Sequence, residues 1–237
     1  MKKAKFSVWL KQSLLFVGQG PWVWATYTLF VGILMPLGRV SLALGILFSV
    51  TSLFVGVGVA KYIDLKYSAE NPVGFFWAVN KSLPLAVLAA STIMIFWFVF
   101  MVIANLFTGE FYKIAQFFFY WELTPENLNR QTTREIANWI YAYANITLIF
   151  TLLMLTTFAS WFSYPLMLFK SESWSQAKEK GDYAVTRNQN AVYKMLGFIF
   201  AEAILCTTVT PLLTPVLYML TSTMMYVSYK GFFEVSK

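Results

Sequence analysis

The chain predicts an all-α fold: a polytopic membrane helix bundle of about six transmembrane helices, arranged as three hairpins, each preceded by an amphipathic surface helix. Three observations predict it. The run from Ile136 to Phe169 holds no charged residue in 34 positions, and Val40–Ala60 and Ser82–Gly109 are also free of charge. A helix of about 20 residues crosses the roughly 30 Å of bilayer hydrocarbon, so each run is long enough to span. Charged residues are 12% of the chain against 58% hydrophobic, too few to cover a globular surface. Lysine and arginine, finally, are distributed by segment in the way that membrane orientation demands.

In chain order, Met1-Lys2-Lys3-Ala4-Lys5 imitates the start of a signal peptide, but Lys11 interrupts the apolar stretch and no small-residue cleavage site follows. The segment is expected to be retained. Phe6, Trp9, Leu10, Leu14 and Val17 recur at helical spacing beside lysines, the pattern of a helix lying in the membrane surface. The first span opens at Pro21-Trp22 and runs to Leu37, and Pro36-Leu37-Gly38-Arg39 makes a tight break before the second, Val40–Ala60. The third lies within Ser82–Phe107. The fourth lies within Ile136–Phe169, started by a capping box at Thr132-Thr133-Arg134-Glu135 and bent or ended by Pro165. Met195–Tyr229 is too long for one span, and Pro211 and Pro215 divide it into a hairpin of about 195–210 and 212–229.

The positive charges follow this division. With both ends inside, Lys2, Lys3, Lys5, Lys11, Lys61, Lys66, Lys81, Lys170, Lys178, Lys180, Arg187, Lys194, Lys230 and Lys237 lie on the inner side, leaving Arg39, Lys113, Arg130 and Arg134 outside. The net charge of +7 is thus a topology signal, and nucleic acid is not an expected partner. Residues 1–237 form one integral membrane domain, comprising an N-terminal amphipathic segment over 1–20, an outer aromatic and polar loop over 108–135 and a cytoplasmic amphipathic loop over 170–194. Trp77-Ala78-Val79-Asn80-Lys81 aligns with Tyr183-Ala184-Val185-Thr186-Arg187 ahead of two apolar runs. That repeat suggests a unit of surface helix plus hairpin, with Asn71-Pro72 and Ser173/Gln176 starting the second and third surface helices.

Several residues carry a resemblance. Gly20-Pro21-Trp22, Lys81-Ser82-Leu83-Pro84, Arg187-Asn188-Gln189-Asn190 and the closing Tyr226-Val227-Ser228-Tyr229-Lys230-Gly231-Phe232-Phe233 resemble a group of uncharacterised six-helix bacterial inner-membrane proteins. The resemblance implies a bacterial inner membrane and a helical-hairpin repeat. It implies no activity.

Chemistry is scarce. The chain has no histidine, which removes the usual imidazole ligand and the usual general base near neutral pH. Cys206 is its one cysteine, so neither an intrachain disulfide nor a thiolate cluster can form, and no cofactor or metal is expected. Ser41, Gly45, Ser49, Ser52, Gly56 and Ala60 recur every three or four positions as a seam for close helix packing, within the chain or against another subunit. The aromatic run Phe117, Phe118, Phe119, Tyr120 and Trp121 suits the headgroup layer or an outside partner. Glu202 is the one acid well inside an expected span, and with Asn145 it forms the candidate intramembrane polar site, facing the interior and hydrogen-bonded to neighbouring spans. The Asn145-Ile146-Thr147 sequon falls mid-span, out of reach of glycosylation.

Three classes of function fit. The first is a non-catalytic accessory or partner-binding membrane protein, of the complex-assembly or toxin-immunity type, with a membrane-protein partner or a second copy and anionic lipids at its cytoplasmic face. The second is a small-molecule or lipid permease using Glu202. An enzyme comes last, because one intramembrane acid supplies no catalytic pair.

Overall fold

The computed structural model describes residues 5–68, 74–120, 124–129 and 132–234. These form eleven α-helices and no strand among the described residues: α1 Phe6–Gln19, α2 Pro21–Leu34, α3 Leu42–Ser68, α4 Phe75–Thr108, α5 Tyr112–Gln116, α6 Pro125–Asn129, α7 Thr133–Thr157, α8 Ser163–Lys170, α9 Trp174–Arg187, α10 Gln189–Thr208 and α11 Thr214–Phe233. Short 3-10 turns, Met35–Arg39 and Pro211–Leu213, join α2 to α3 and α10 to α11. Segments within Pro21–Arg39, Leu42–Tyr67, Phe75–Thr108, Arg134–Thr157 and Gln189–Thr208 are long and apolar enough to cross a membrane. The fold is that of a helical membrane bundle.

Local chemistry explains where the helices begin and end. Both expected capping boxes form: Thr132 with Glu135 starts α7, and Ser173 with Gln176 starts α9. Pro21 occupies the first turn of α2, where its missing N–H costs nothing. Gly109, at φ +75°, ends α4 in the left-handed region that glycine tolerates best. The break expected between Pro211 and Pro215 is present.

Four boundaries differ from the sequence reading, the smallest difference being α10, which begins at Gln189 and not near 195. α3 does not stop at Ala60 but continues through Lys61 and Asp64 to Ser68, because those charges find partners at the helix end. Phe75–Lys81 is no separate surface helix; it runs straight into α4, which tolerates Pro84. The starter expected at Asn71-Pro72 lies outside the described residues. The Ile136–Phe169 run is broken in two, α7 ending at Thr157 and α8 starting at Ser163. Pro165 therefore sits in the first turn of α8 rather than at the far end of a span, a position proline favours because that amide is unsatisfied anyway.

α11 is the hub. It contacts α1, α2, α3, α7, α8 and α10, and 13 of its 20 residues are buried. α3 lies between it and α4, which packs through a narrow stripe of Ala78, Ser82, Ala86, Ala90 and Ile93. The end of the bundle carrying α9 and the C-terminus of α11 is termed here the basic end, and the end carrying α5 and α6 the aromatic end.

Candidate functional site

Side chains on α11 form a polar spine through the bundle. Beginning near the aromatic end, Thr214 Oγ1 accepts from Asn145 Nδ2 at 3.0 Å, and Tyr218 OH donates to the Ala144 carbonyl at 2.6 Å. One turn on, Ser222 Oγ donates to the Leu53 carbonyl at 2.7 Å, and Tyr27 OH donates to the Ser52 carbonyl at 2.8 Å beside it. Ser228 Oγ then accepts from Trp161 Nε1 at 2.9 Å. Satisfying polar groups within the bundle is what lets so polar a helix lie inside it.

At the basic end the spine finishes in charges. Asp64, from α3, is buried and accepts from Tyr226 OH and from Lys230 Nζ, each at 2.6 Å. Lys61 meets the Glu234 carboxylate at 2.9 Å, so α3 and the end of α11 are joined by two ion pairs one helical turn apart. A buried carboxylate is tolerable only when paired and hydrogen-bonded, and Asp64 is both. Sequence reasoning missed it by ending the second span at Ala60. The signal was present: an acid three residues after Lys61, on a helix that nothing terminates, at the same end as Lys230.

The aromatic end is built differently. The Phe117 carbonyl accepts from Ala43 N and the Val40 carbonyl accepts from Tyr120 N, both at 3.0 Å, clasping the run to the start of α3. Phe117 is buried between Phe98 and Phe118, while Phe118, Phe119 and Tyr120 are exposed. Trp121 lies outside the described residues, as do Lys2, Lys3, Arg130 and Lys237. Beside this run Lys113 donates to Glu110 at 2.6 Å, which holds the Glu110 carboxyl below its ordinary range and the Lys113 ammonium above its own.

The small-residue seam lies within the chain. A Cβ on Gly45 would fall 2.5 Å from Gly38 Cα and 2.6 Å from the Tyr143 ring; one on Gly56 would fall 2.5 Å from Ser222 Oγ and 2.6 Å from Tyr27 OH. Ser49, Ser52 and Ala60 are buried on the same helix, and Ser41 is buried just before it. Asn145 is fully buried, and its Oδ1 has no partner among the described residues. Glu202 does not join it. It sits half-buried on the flank of α10, where no hydrogen bond from a described residue reaches it, because Ile199, Ala203 and Cys206 take the inward face.

The described residues contain no group of three or more acids or cysteines placed to hold a metal. The chain matches no protein-family model, no curated protein and no solved structure. The arrangement thus offers structural ion pairs, hydroxyls committed to carbonyls, and an aromatic surface held rigid.

Proposed function

We propose that the protein is a non-catalytic membrane subunit that binds a partner protein at its aromatic end, as an accessory factor for complex assembly or in the manner of a toxin-immunity protein. The observation carrying this reading is the clasp: two backbone hydrogen bonds hold Phe118, Phe119 and Tyr120 exposed on the bundle's end. Rigid aromatic side chains lose little entropy on docking and make frequent hot spots. A permease is less favoured. Buried Tyr27 and Tyr218 fill the middle of the bundle with their hydroxyls committed, Tyr226 is committed to Asp64 at the basic end, and Glu202 stands away from them.

The same reading takes α11 as a sixth span, giving three hairpins in a bacterial inner membrane, multi-pass, with both termini in the cytoplasm. The charge asymmetry supports it, since the basic end gathers most of the lysines and arginines. A tag at residue 126 should be reactive from outside the cell and one at 179 from inside; the opposite result excludes this orientation. For the partner, a photo-crosslinking residue at Phe119 should give one discrete protein adduct, lost when Phe118 and Tyr120 are both changed to Ser. Crosslinks to lipid alone would make the patch a headgroup anchor instead.

A further inference from the structure

Between α4 and α7 lies a cleft of about 480 Å³ closed on its inner side by α3 and α8. It lies within the ~300–1,000 Å³ typical of small-molecule sites. Its walls are almost wholly apolar: Leu85, Leu88 and Ala89 of α4 face Met154, Leu155 and Met167 of α7 and α8. The far end is shut by the stacked rings of Phe96 and Phe158, 5.3 Å apart. From Leu85 to Phe96 the wall rises about 16 Å, close to half of the roughly 30 Å hydrocarbon layer, so the cleft is one leaflet deep.

Its mouth has a different character. Lys81 precedes Leu85 by four residues and Lys178 follows Trp174 by four, so each cation lies on the helix face whose next turn lines the cleft. Neither lysine meets a carboxylate among the described residues. Glu172, the acid nearest the start of α9, is held by Lys180 at 2.7 Å. Trp174 stands at the mouth, where indoles favour the headgroup layer, while Lys81 and Trp77, whose ring carries the Lys81 ammonium at 5.0 Å, line the adjoining recess with Lys61 and Glu234, a pair already closed on itself at 2.9 Å. Just inside, Ser163 lines the cleft and is fully buried, yet its Oγ has no partner among the described residues.

We propose that this cleft holds one anionic glycerophospholipid of the adjoining leaflet. An acyl chain lies along Leu85–Phe96, the glycerol ester region meets the Ser163 hydroxyl, and the phosphate sits between Lys81 and Lys178. Two ammonium groups with no carboxylate partner among the described residues, beside an apolar slot of leaflet depth, match an acidic amphiphile, and basic recesses between membrane helices are established headgroup sites. A neighbouring apolar helix would leave both lysines and Ser163 unanswered.

The test is native mass spectrometry of the full-length protein in detergent, offered phosphatidylglycerol and phosphatidylcholine with identical acyl chains at equal mole fraction. One phosphatidylglycerol should be retained per monomer, at least tenfold over phosphatidylcholine. Lys81→Gln with Lys178→Gln should bring that ratio to within twofold of unity without reducing total retained lipid. The control pair Lys66→Gln with Lys194→Gln, at the same end but away from the mouth, should leave it unchanged. Ala89→Phe, filling the slot, should cut retention of both lipids at least fivefold, with Thr92→Trp as a second filler if the first disturbs folding. Equal retention of the two lipids by the native protein would overturn the proposal, as would a control pair as damaging as the mouth pair, or a lipid-free dimer with the cleft occupied by a second copy.

Discussion

α4 and α11 invert the usual relation between apolarity and burial. α4 is the most apolar of the five candidate spans, yet only 6 of its 34 residues are buried. α11 is not among those candidates, and 13 of its 20 residues are buried, including eight that bear hydroxyl groups. The solvent explains the inversion. Lipid tails are as apolar as leucine, so an outer helix gains nothing from polar groups, whereas an inner helix needs small and hydroxyl residues for close approach and hydrogen bonding. Between these two helices hydropathy follows the outer position rather than membership of the core, whereas α3 is both strongly apolar and mostly buried.

The contrast is most strongly tested at Gly56, where α3 meets α11. Gly56→Leu drives its side chain into Ser222 and Tyr27 and should cost about 3 kcal/mol or more, seen as loss of the cooperative thermal transition in detergent. Next is the ion pair at the basic end. Asp64→Leu leaves Lys230 and Tyr226 without their acceptor and should cost about 2–3 kcal/mol, somewhat below a fully buried pair because Lys230 is partly exposed. Adding Lys230→Met should recover much of that loss in a double-mutant cycle. A smaller loss, about 1 kcal/mol, is expected for Tyr218→Phe, which removes one hydrogen bond to the Ala144 carbonyl. Ile103→Ala, on the exposed face of α4 away from the cleft, should stay within about 0.5 kcal/mol. If Ile103→Ala cost as much as Tyr218→Phe, the distinction between lipid-facing and core helices would collapse.

The smallest effect lies at Glu110. Its carboxyl is held below the unfolded value of about 4.3, so its contribution is present above that value and disappears as pH falls through the lower folded one. Glu110→Gln should slightly flatten the acid limb of a stability profile. The difference should shrink at high salt, because the pair is exposed.

The same inversion explains how much of the molecule was legible in the sequence. Charge-free runs and prolines located α2, α3, α4, α7 and α10, since each faces lipid along part of its length and must be apolar there. The two capping boxes were legible because a cap is local. The split between α7 and α8 was not, because Trp161 and Phe162 are drawn into the core by partners such as Ser228 and Phe232, distant in sequence. Asp64 escaped for the same reason: its partners Tyr226 and Lys230 lie more than 160 positions away. Glu202 was singled out by its isolation, and isolation within one helix says nothing about which way that helix turns.

The place of α11 in the chain bears on biogenesis. It is translated after every helix it contacts, and eight hydroxyl side chains make it a poor candidate for partitioning into lipid unaided. The earlier helices therefore wait in the bilayer with an open, partly polar groove, and this last segment enters by docking into that groove. Until it arrives, Asn145 lacks the Thr214 hydroxyl and Asp64 lacks Tyr226 and Lys230. A chain halted before residue 214 would present these polar groups in the membrane without their α11 contacts, a natural mark for quality-control proteolysis.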